Sequence, residues 1–336
     1  MKILLVSPLG TPINPETKYG GIERLVWDYA NELRRDHEVT VMGHADSIFP
    51  EDVTLLGTRS KDPDVFVMAE VRQYQSWAYV LRDFNVIHDF SHQQFASRYT
   101  PALKSLNPFW HAPAIAQYPK SPYNIIALSR WAEREFKRVY KQDARYQQSI
   151  VVDPEIYCKG GKRGDRFLTL GIMSENKGNL EAIKLCQNVG VPLDVAGAPA
   201  DKDYEDNLKV MCDGEQVRFL GEVTHEQKIE LMQTCRALIY ITPDAYSEVT
   251  SHKLQEAMFC GAPIITTPGG AFPEIVTDGV NGFLCASENE FIEAVKNVDK
   301  LEPDELYEEV AQTYSIRNVV ADYVKLYQEV ADGLRW

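Results

Sequence analysis

Positive charge is scarce in this chain. Its 35 lysines and arginines stand against 49 aspartates and glutamates, a formal net charge of −14 over 336 residues. So acidic a balance argues against general binding of nucleic acid or anionic surfaces, although it leaves local basic patches open. Cysteine is sparse and scattered: Cys158, Cys186, Cys212, Cys235, Cys260 and Cys285 contain no C-x-x-C pair, and no histidines cluster at metal-ligand spacing. That excludes a zinc-ribbon signature and points to a reducing compartment. Long apolar runs are missing too. The first, residues 3–6, is too short for a signal-peptide core and is followed by Pro8 and Gly10, and no uninterrupted run is long enough to span a bilayer. These absences imply a cytoplasmic protein. No G-x-G-x-x-G is present, no short-period repeat and no low-complexity tract.

What is present is alternation of apolar strands and amphipathic helices, at a length that suits two domains. Residues 2–7 read as a buried strand, 22–33 as a helix and 38–43 as a strand, the opening of a doubly wound parallel sheet. A long helix is predicted over 64–84, then a short strand at Val86 and Ile87 with His88 at its carboxyl end, where open α/β sheets bind ligands. Strands at 112–118 and 123–129, a helix over 130–141 and a strand over 149–153 complete the first half. The pattern then starts over: strand 167–171, helix 179–188, strands 192–197 and 217–221, a capping box at Thr224 and Gln227, and strand 237–242. The last helix, 316–330, carries Val319, Val320, Tyr323 and Tyr327 on one face.

The densest stretch is 244–276. A loop ends at Thr250 or Ser251, either able to cap a helix that runs to Gly261. A short β-branched strand follows, closed by Pro268-Gly269-Gly270, with a further helix starting near Phe272. Glu248 lies in the loop before the helix and Glu256 inside it, so both carboxylates can face one ligand. A helix N-terminus offers free N–H groups and a positive dipole end suited to pyrophosphate, which leaves the carboxylates for hydroxyl groups. Read alone, Glu256 could simply pair with His252 or Lys253 on a solvated face.

The glutamate pair with seven residues between, continued by Glu256-Ala257-Met258, Gly261-Ala262-Pro263, Gly269-Gly270-Ala271-Phe272-Pro273-Glu274 and Asp278-Gly279-Val280-Asn281-Gly282, resembles the family 4 retaining glycosyltransferases. The resemblance covers most of the chain. It implies a GT-B architecture of two doubly wound Rossmann-like domains facing across a cleft: 1–155 on the acceptor side, 156–313 on the nucleotide-sugar donor side, and a terminal segment 314–336 crossing back to the first. It implies that Glu248 holds sugar hydroxyls and Glu256 the ribose, with Val249, Thr250 and Ser251 at the pyrophosphate. Tyr19-Gly20-Gly21-Ile22-Glu23 is similar to the family's first loop on the donor's phosphate side, and Lys177-Gly178 to its phosphate-binding lysine. His88 is expected in the catalytic site, with His92 and Tyr118 on the acceptor side.

The chain departs from the family in two places. Ile172 stands where an arginine is usual, removing one of two cations expected on the pyrophosphate. Ala116-Gln117-Tyr118-Pro119 replaces a Thr-x-His, and His111 precedes that strand. The expected activity is metal-independent sugar transfer from a nucleotide diphosphate to an unidentified acceptor, with no cofactor. The departures support an alternative, a GT-B protein that binds a nucleotide sugar or a partner without transfer. A metal-dependent transferase would use Asp62-Pro63-Asp64 or Asp201-Lys202-Asp203, but neither follows a strand and aspartate is a good helix cap. A nicotinamide dehydrogenase lacks its glycine fingerprint. The helix over 130–141 sets Arg134, Lys137 and Arg138 beside Trp131, Phe136 and Tyr140, an amphipathic surface helix or a guide for a phosphate-bearing acceptor or peripheral membrane contact.

Overall fold

A computed structural model describes residues 1–15, 21–59, 66–99, 104–110, 123–243, 246–301 and 307–336. The chain divides into two compact units, Met1–Val151 with Ile316–Trp336, and Val152–Ser315.

The first unit contains β1 (Lys2–Val6), α1 (Gly21–Leu33), β2 (Glu38–His44), β3 (Val53–Thr58), α2 (Phe66–Trp77) and β4 (Val86–Asp89). α3 (Phe95–Tyr99), β5 (Ser105–Phe109), β6 (Ile125–Ala127), α4 (Arg130–Tyr140) and β7 (Arg145–Tyr146) follow. The second unit contains β8 (Phe167–Leu170), α5 (Asn179–Val189), β9 (Leu193–Ala196), α6 (Lys202–Met211), β10 (Val217–Gly221) and α7 (His225–Thr234). It continues with β11 (Leu238–Tyr240), α8 (His252–Phe259), β12 (Ile264–Thr266), β13 (Gly282–Leu284), α9 (Glu288–Asn297) and α10 (Tyr307–Tyr314), before α11 (Ile316–Ala331) returns to the first unit.

Both sheets are parallel, with orders β3-β2-β1-β4-β5-β6-β7 and β10-β9-β8-β11-β12-β13. Each order runs outward in one direction from its first strand and then reverses, so β1/β4 and β8/β11 are topological switch points, where open α/β sheets leave a crevice for a ligand. The strands are short and almost wholly apolar because helices cover both faces: β8, β11 and β12 are buried at every position.

Several elements depart from the sequence reading. β3, α3, β5 and α6 have no counterpart in it. β5, Ser-Leu-Asn-Pro-Phe, is masked by its polar residues and proline, yet the Asn107 side-chain amide donates to Ser105 Oγ and Tyr123 O inside the core. The long helix expected over 64–84 is α helix only to Trp77 and then tightens into a 3-10 segment, Ala78–Asp83. Residues 149–153 form no strand: Val152 makes a single bridge to Ser315, beside the point where the chain leaves the second unit. The helix expected from Phe272 is one 3-10 turn, Phe272–Glu274. The strand expected at 112–118 lies outside the described residues.

α11 seals the first unit. Val319, Val320, Tyr323 and Tyr327 are all buried, as the spacing predicts. The seal corrects the expectation for His88. Far from opening to a ligand, its imidazole is fully buried among Tyr29, Phe90, Tyr323 and Tyr327, with Nδ1 2.8 Å from the Tyr327 hydroxyl and Nε2 unpaired. Strand alternation aims residue 88 at the face that α1 and α11 cover. Burial pushes its pKa well below the usual histidine range. The folded chain therefore keeps His88 neutral while the unfolded chain protonates it below about pH 6.5, so stability is lost as pH falls, by up to about 1.4 kcal/mol per pH unit. Its neighbour Asp89 acts oppositely: burial lifts it to about 6 despite hydrogen bonds from Ser91 and Ser97, so stability rises as pH falls below that value. Denaturant titrations of wild type and His88→Phe at pH 7 and pH 5 separate the two. Wild type is expected to lose about 1–2 kcal/mol more than the variant across that interval; parallel losses would remove the linkage.

On α4 the aromatic side turns inward, with Phe136 fully buried. Its cations are engaged: Lys137 pairs with Asp143, Arg138 with Glu135, Lys141 donates to Arg138 O, and Arg130 lies over the Tyr146 ring. The amphipathic-helix reading accounts for this segment. Among the described residues no helix is long and apolar enough to cross a membrane.

Candidate functional site

The sequence's densest stretch folds at the β8/β11 switch point of the second unit. α8 begins with Ser251 at its N-cap in extended backbone, and its side chain makes no capping hydrogen bond, so among the described residues no side chain takes up the first-turn N–H groups. It ends as expected at Gly261, whose φ of 76° is the left-handed conformation that a helix stop requires. Val249 and Ser251 are buried and Thr250 half-buried around this terminus.

The two glutamates converge on the same end of the sheet and carry matching settings. Glu248 Oε1 accepts from Lys177 Nζ and from the Tyr240 hydroxyl, each at 2.5 Å. Glu256 Oε1 accepts from Lys228 Nζ at 2.9 Å and the Tyr157 hydroxyl at 2.6 Å. In each case Oε2 takes no hydrogen bond from a described residue. One oxygen fixes the carboxylate and the other remains an open acceptor, the arrangement needed to orient hydroxyl groups. Burial works against the charge of Glu256, yet Lys228 and the hydrogen bonds outweigh it and hold its pKa below the usual range. Burial likewise opposes the charge on Lys177, and the Glu248 carboxylate with the Tyr246 hydroxyl outweighs it, raising the ammonium's pKa. Glu256 thus pairs neither with His252 nor with Lys253. His252 is held neutral, its pKa lowered to about 4 by burial.

Glycines set the spacing. Gly178 has φ 64°, and a Cβ there would stand 1.5 Å from Ile241 O, so only glycine lets the Lys177 turn abut the end of β11. Gly270 has φ 60°, and its Cβ would stand 2.4 Å from Glu248 O, the same carbonyl that accepts from Ala271 N at 3.0 Å. The Gly-Gly turn is therefore a clamp on the Glu248 backbone. Gly270→Ala is expected to cost more than ~1 kcal/mol of stability and to displace the Glu248 carboxylate. Calorimetric unfolding checks the first effect, and an unchanged melting temperature would contradict the clamp.

The structure brings together Lys177, Val249, Thr250, Ser251, Glu248 and Glu256. His88 is core of the first unit. Gly21 opens α1 and is exposed, and the His92 N–H donates to Glu70. Gly20, Tyr118, His111 and Asp62-Pro63-Asp64 lie outside the described residues. Asp201 is spent capping α6, its side chain accepting from Tyr204 N. Sequence reasoning passed over Tyr157, Lys228 and Tyr240, which come from other segments, and Tyr246, which lies in the densest stretch but carries no local pattern. A cavity of about 620 Å³ opens at the carboxyl ends of β11, β12 and β13; it meets the site at Tyr246 and Gly269, and neither Glu248 nor Glu256 is among its described lining residues.

Residues 161–317, most of which lie in the second unit, match the model of the family Glycosyl transferases group 1. The phosphatidylinositol N-acetylglucosaminyltransferase gpi3 subunit of Schizosaccharomyces pombe is 29% identical over 184 residues, 50% of this chain and 40% of that protein. An uncharacterized glycosyltransferase of Methanocaldococcus jannaschii is 26% identical over 155 residues, 40% of this chain and 43% of that protein. The chain thus spans less than half the length of these curated relatives. Among solved structures, AviGT4, a glycosyltransferase involved in avilamycin A biosynthesis, superposes with a TM-score of 0.75 at 24% identity, covering 100% of this chain and 99% of that one. Anabaena HepE, solved in complex with UDP and glucose, superposes with a TM-score of 0.73 at 16% identity, covering 98% and 99%. The shared fold is GT-B.

Proposed function

We propose that this chain, whose residues 161–317 match the group 1 glycosyl transferase model, is a retaining glycosyltransferase of family 4 that moves a sugar from a nucleoside diphosphate donor to an acceptor without a metal ion. The observation that carries the reading is the matched pair of glutamates, each with one oxygen locked by a lysine and a tyrosine and the other open, beside an uncapped helix N-terminus. The diphosphate lies against the first-turn N–H groups of α8 and beside Lys177. Glu256 receives the ribose hydroxyls, and Glu248 those of the transferred sugar.

In this mechanism the bond from the anomeric carbon to the β-phosphate oxygen breaks, and negative charge develops on the leaving diphosphate. Helix dipole and ammonium are already oriented toward that charge, so stabilisation needs no reorganisation. The acceptor oxygen attacks the face that the diphosphate leaves, and the departing phosphate oxygen takes its proton. No carboxylate nucleophile is required, which agrees with both glutamates being held by other groups. UDP is the first donor to try, because HepE, of the same fold, is solved with it.

The test is release of free nucleoside diphosphate from UDP-, GDP- and ADP-sugars, without acceptor and with EDTA present. Slow release from one donor, with sugar of retained anomeric configuration, is the expected result. Binding of a donor with no release would favour the non-transferring reading, and release only after magnesium or manganese is restored would overturn metal independence.

A further inference from the structure

The cations of this site are not equivalent. Lys177 is neutralised by Glu248 and Lys228 by Glu256. Lys253 is not neutralised: no carboxylate among the described residues lies within 4.0 Å of its Nζ. This ammonium donates to Leu170 O at 3.1 Å, at the carboxyl end of β8, and lies 3.2 Å from the centroid of the Tyr240 ring. Those contacts use one of its three N–H donors in a conventional hydrogen bond. The position is also unfavourable for a merely structural lysine. Lys253 occupies the first turn of α8, where the macrodipole disfavours a cation. Its side chain runs back to the β8 terminus so closely that a Cβ on Gly171 would stand 3.0 Å from Nζ. An unneutralised ammonium, an uncapped helix N-terminus and the Lys177 loop thus meet at one switch point, where three lysines face two glutamates.

We propose that Lys253 binds the diphosphate of the donor, as a second cation beside Lys177. This rests on the donor reading given above and adds to it the residue that supplies the unbalanced charge. Without ligand the groups around Lys253 are the Lys177 ammonium on the β8 loop, the Glu248 and Glu256 carboxylates on either side of the α8 start, and the Tyr240 phenol on β11. Burial, and then Lys177, lower its pKa to about 7, against the opposing pull of the two carboxylates. A diphosphate reverses that balance, because an anion within hydrogen-bond reach favours the ammonium. Above pH 7, binding therefore takes up a proton at Lys253.

Titration calorimetry with UDP, GDP and ADP, in EDTA, identifies the nucleotide that wild type binds, and the same nucleotide and inorganic pyrophosphate are then titrated into Lys253→Met and Lys253→Arg. The methionine variant is expected to bind nucleotide and pyrophosphate about ten- to a hundredfold more weakly at pH 7, with no fall in the melting temperature of the ligand-free protein. Arginine keeps its charge at every pH used. Its affinity is expected to fall less than that of wild type between pH 7 and pH 9, and its binding heat at pH 8 to be free of the buffer dependence that reports proton uptake. If methionine binds as tightly as wild type, or arginine shows the wild-type pH profile and proton uptake, Lys253 does not bind the diphosphate. Wild type binding none of the three nucleotides would overturn the donor reading and this inference with it.

Discussion

Glu248→Ala is expected to lower sugar transfer by about a hundred- to a thousandfold while leaving nucleoside diphosphate affinity unchanged or tighter. The sign of the second effect follows from the ion pair. In the free protein Glu248 Oε1 sits 2.5 Å from Lys177 Nζ, so the carboxylate competes with the diphosphate for that ammonium. Removing it frees a cation for phosphate, and removes the open Oε2 that orients the sugar. A loss confined to the transferred group appears in kcat and kcat/KM together. Steady-state kinetics beside nucleotide calorimetry decides the matter. A tenfold loss of nucleotide affinity with full turnover would reverse the roles of the two glutamates.

Glu256→Ala is expected to weaken nucleoside diphosphate binding by about ten- to a hundredfold and leave inorganic pyrophosphate binding within about twofold, because the open oxygen of Glu256 meets ribose and not phosphate. The variant also strands Lys228 beside Tyr157, both hydrogen-bonded to the same carboxylate oxygen. With side-chain exposures of 22% for Lys228 and 14% for Glu256, solvent screens part of that loss, and a stability cost of about 1–3 kcal/mol is expected, below that of a fully buried broken pair. Glu256→Gln keeps the shape with a smaller cost and should still lose nucleotide affinity. Equal affinity for nucleotide in wild type and both variants would remove the ribose role.

Much of the fold was legible because many of its strands are short apolar runs, α5 and α8 stop at Gly190 and Gly261, and α7 begins at a capping box. Thr224 and Gln227 form that box as the spacing predicts, and the chain's second strand-helix series repeats the first. Where polar residues carry a strand, as in β5, periodicity was silent and only tertiary hydrogen bonding explains the element. The cluster of groups around the α8 start was legible because Glu248, Glu256 and that helix start are adjacent in sequence. Their partners were not, since Tyr157 and Lys228 reach Glu256 from 99 and 28 residues away. His88 was misread for a related reason. A strand end identifies a location, but which face the side chain takes depends on what covers that face, here α11 from the far end of the chain. Lys253 had a signal after all: a lysine in a helix's first turn conflicts with the dipole, and such local conflicts concentrate at functional sites. It lies close to the turn where Ile172 supplies no charge.

The most direct test of the donor assignment is a crystal structure of the wild-type protein with the nucleoside diphosphate it binds best. The diphosphate is expected against the first-turn N–H groups of α8, with Lys177 and Lys253 on its oxygens and the ribose hydroxyls on Glu256. A nucleotide seated elsewhere, or at this sheet end with its ribose turned away from Glu256 and its phosphates away from both lysines, would contradict it.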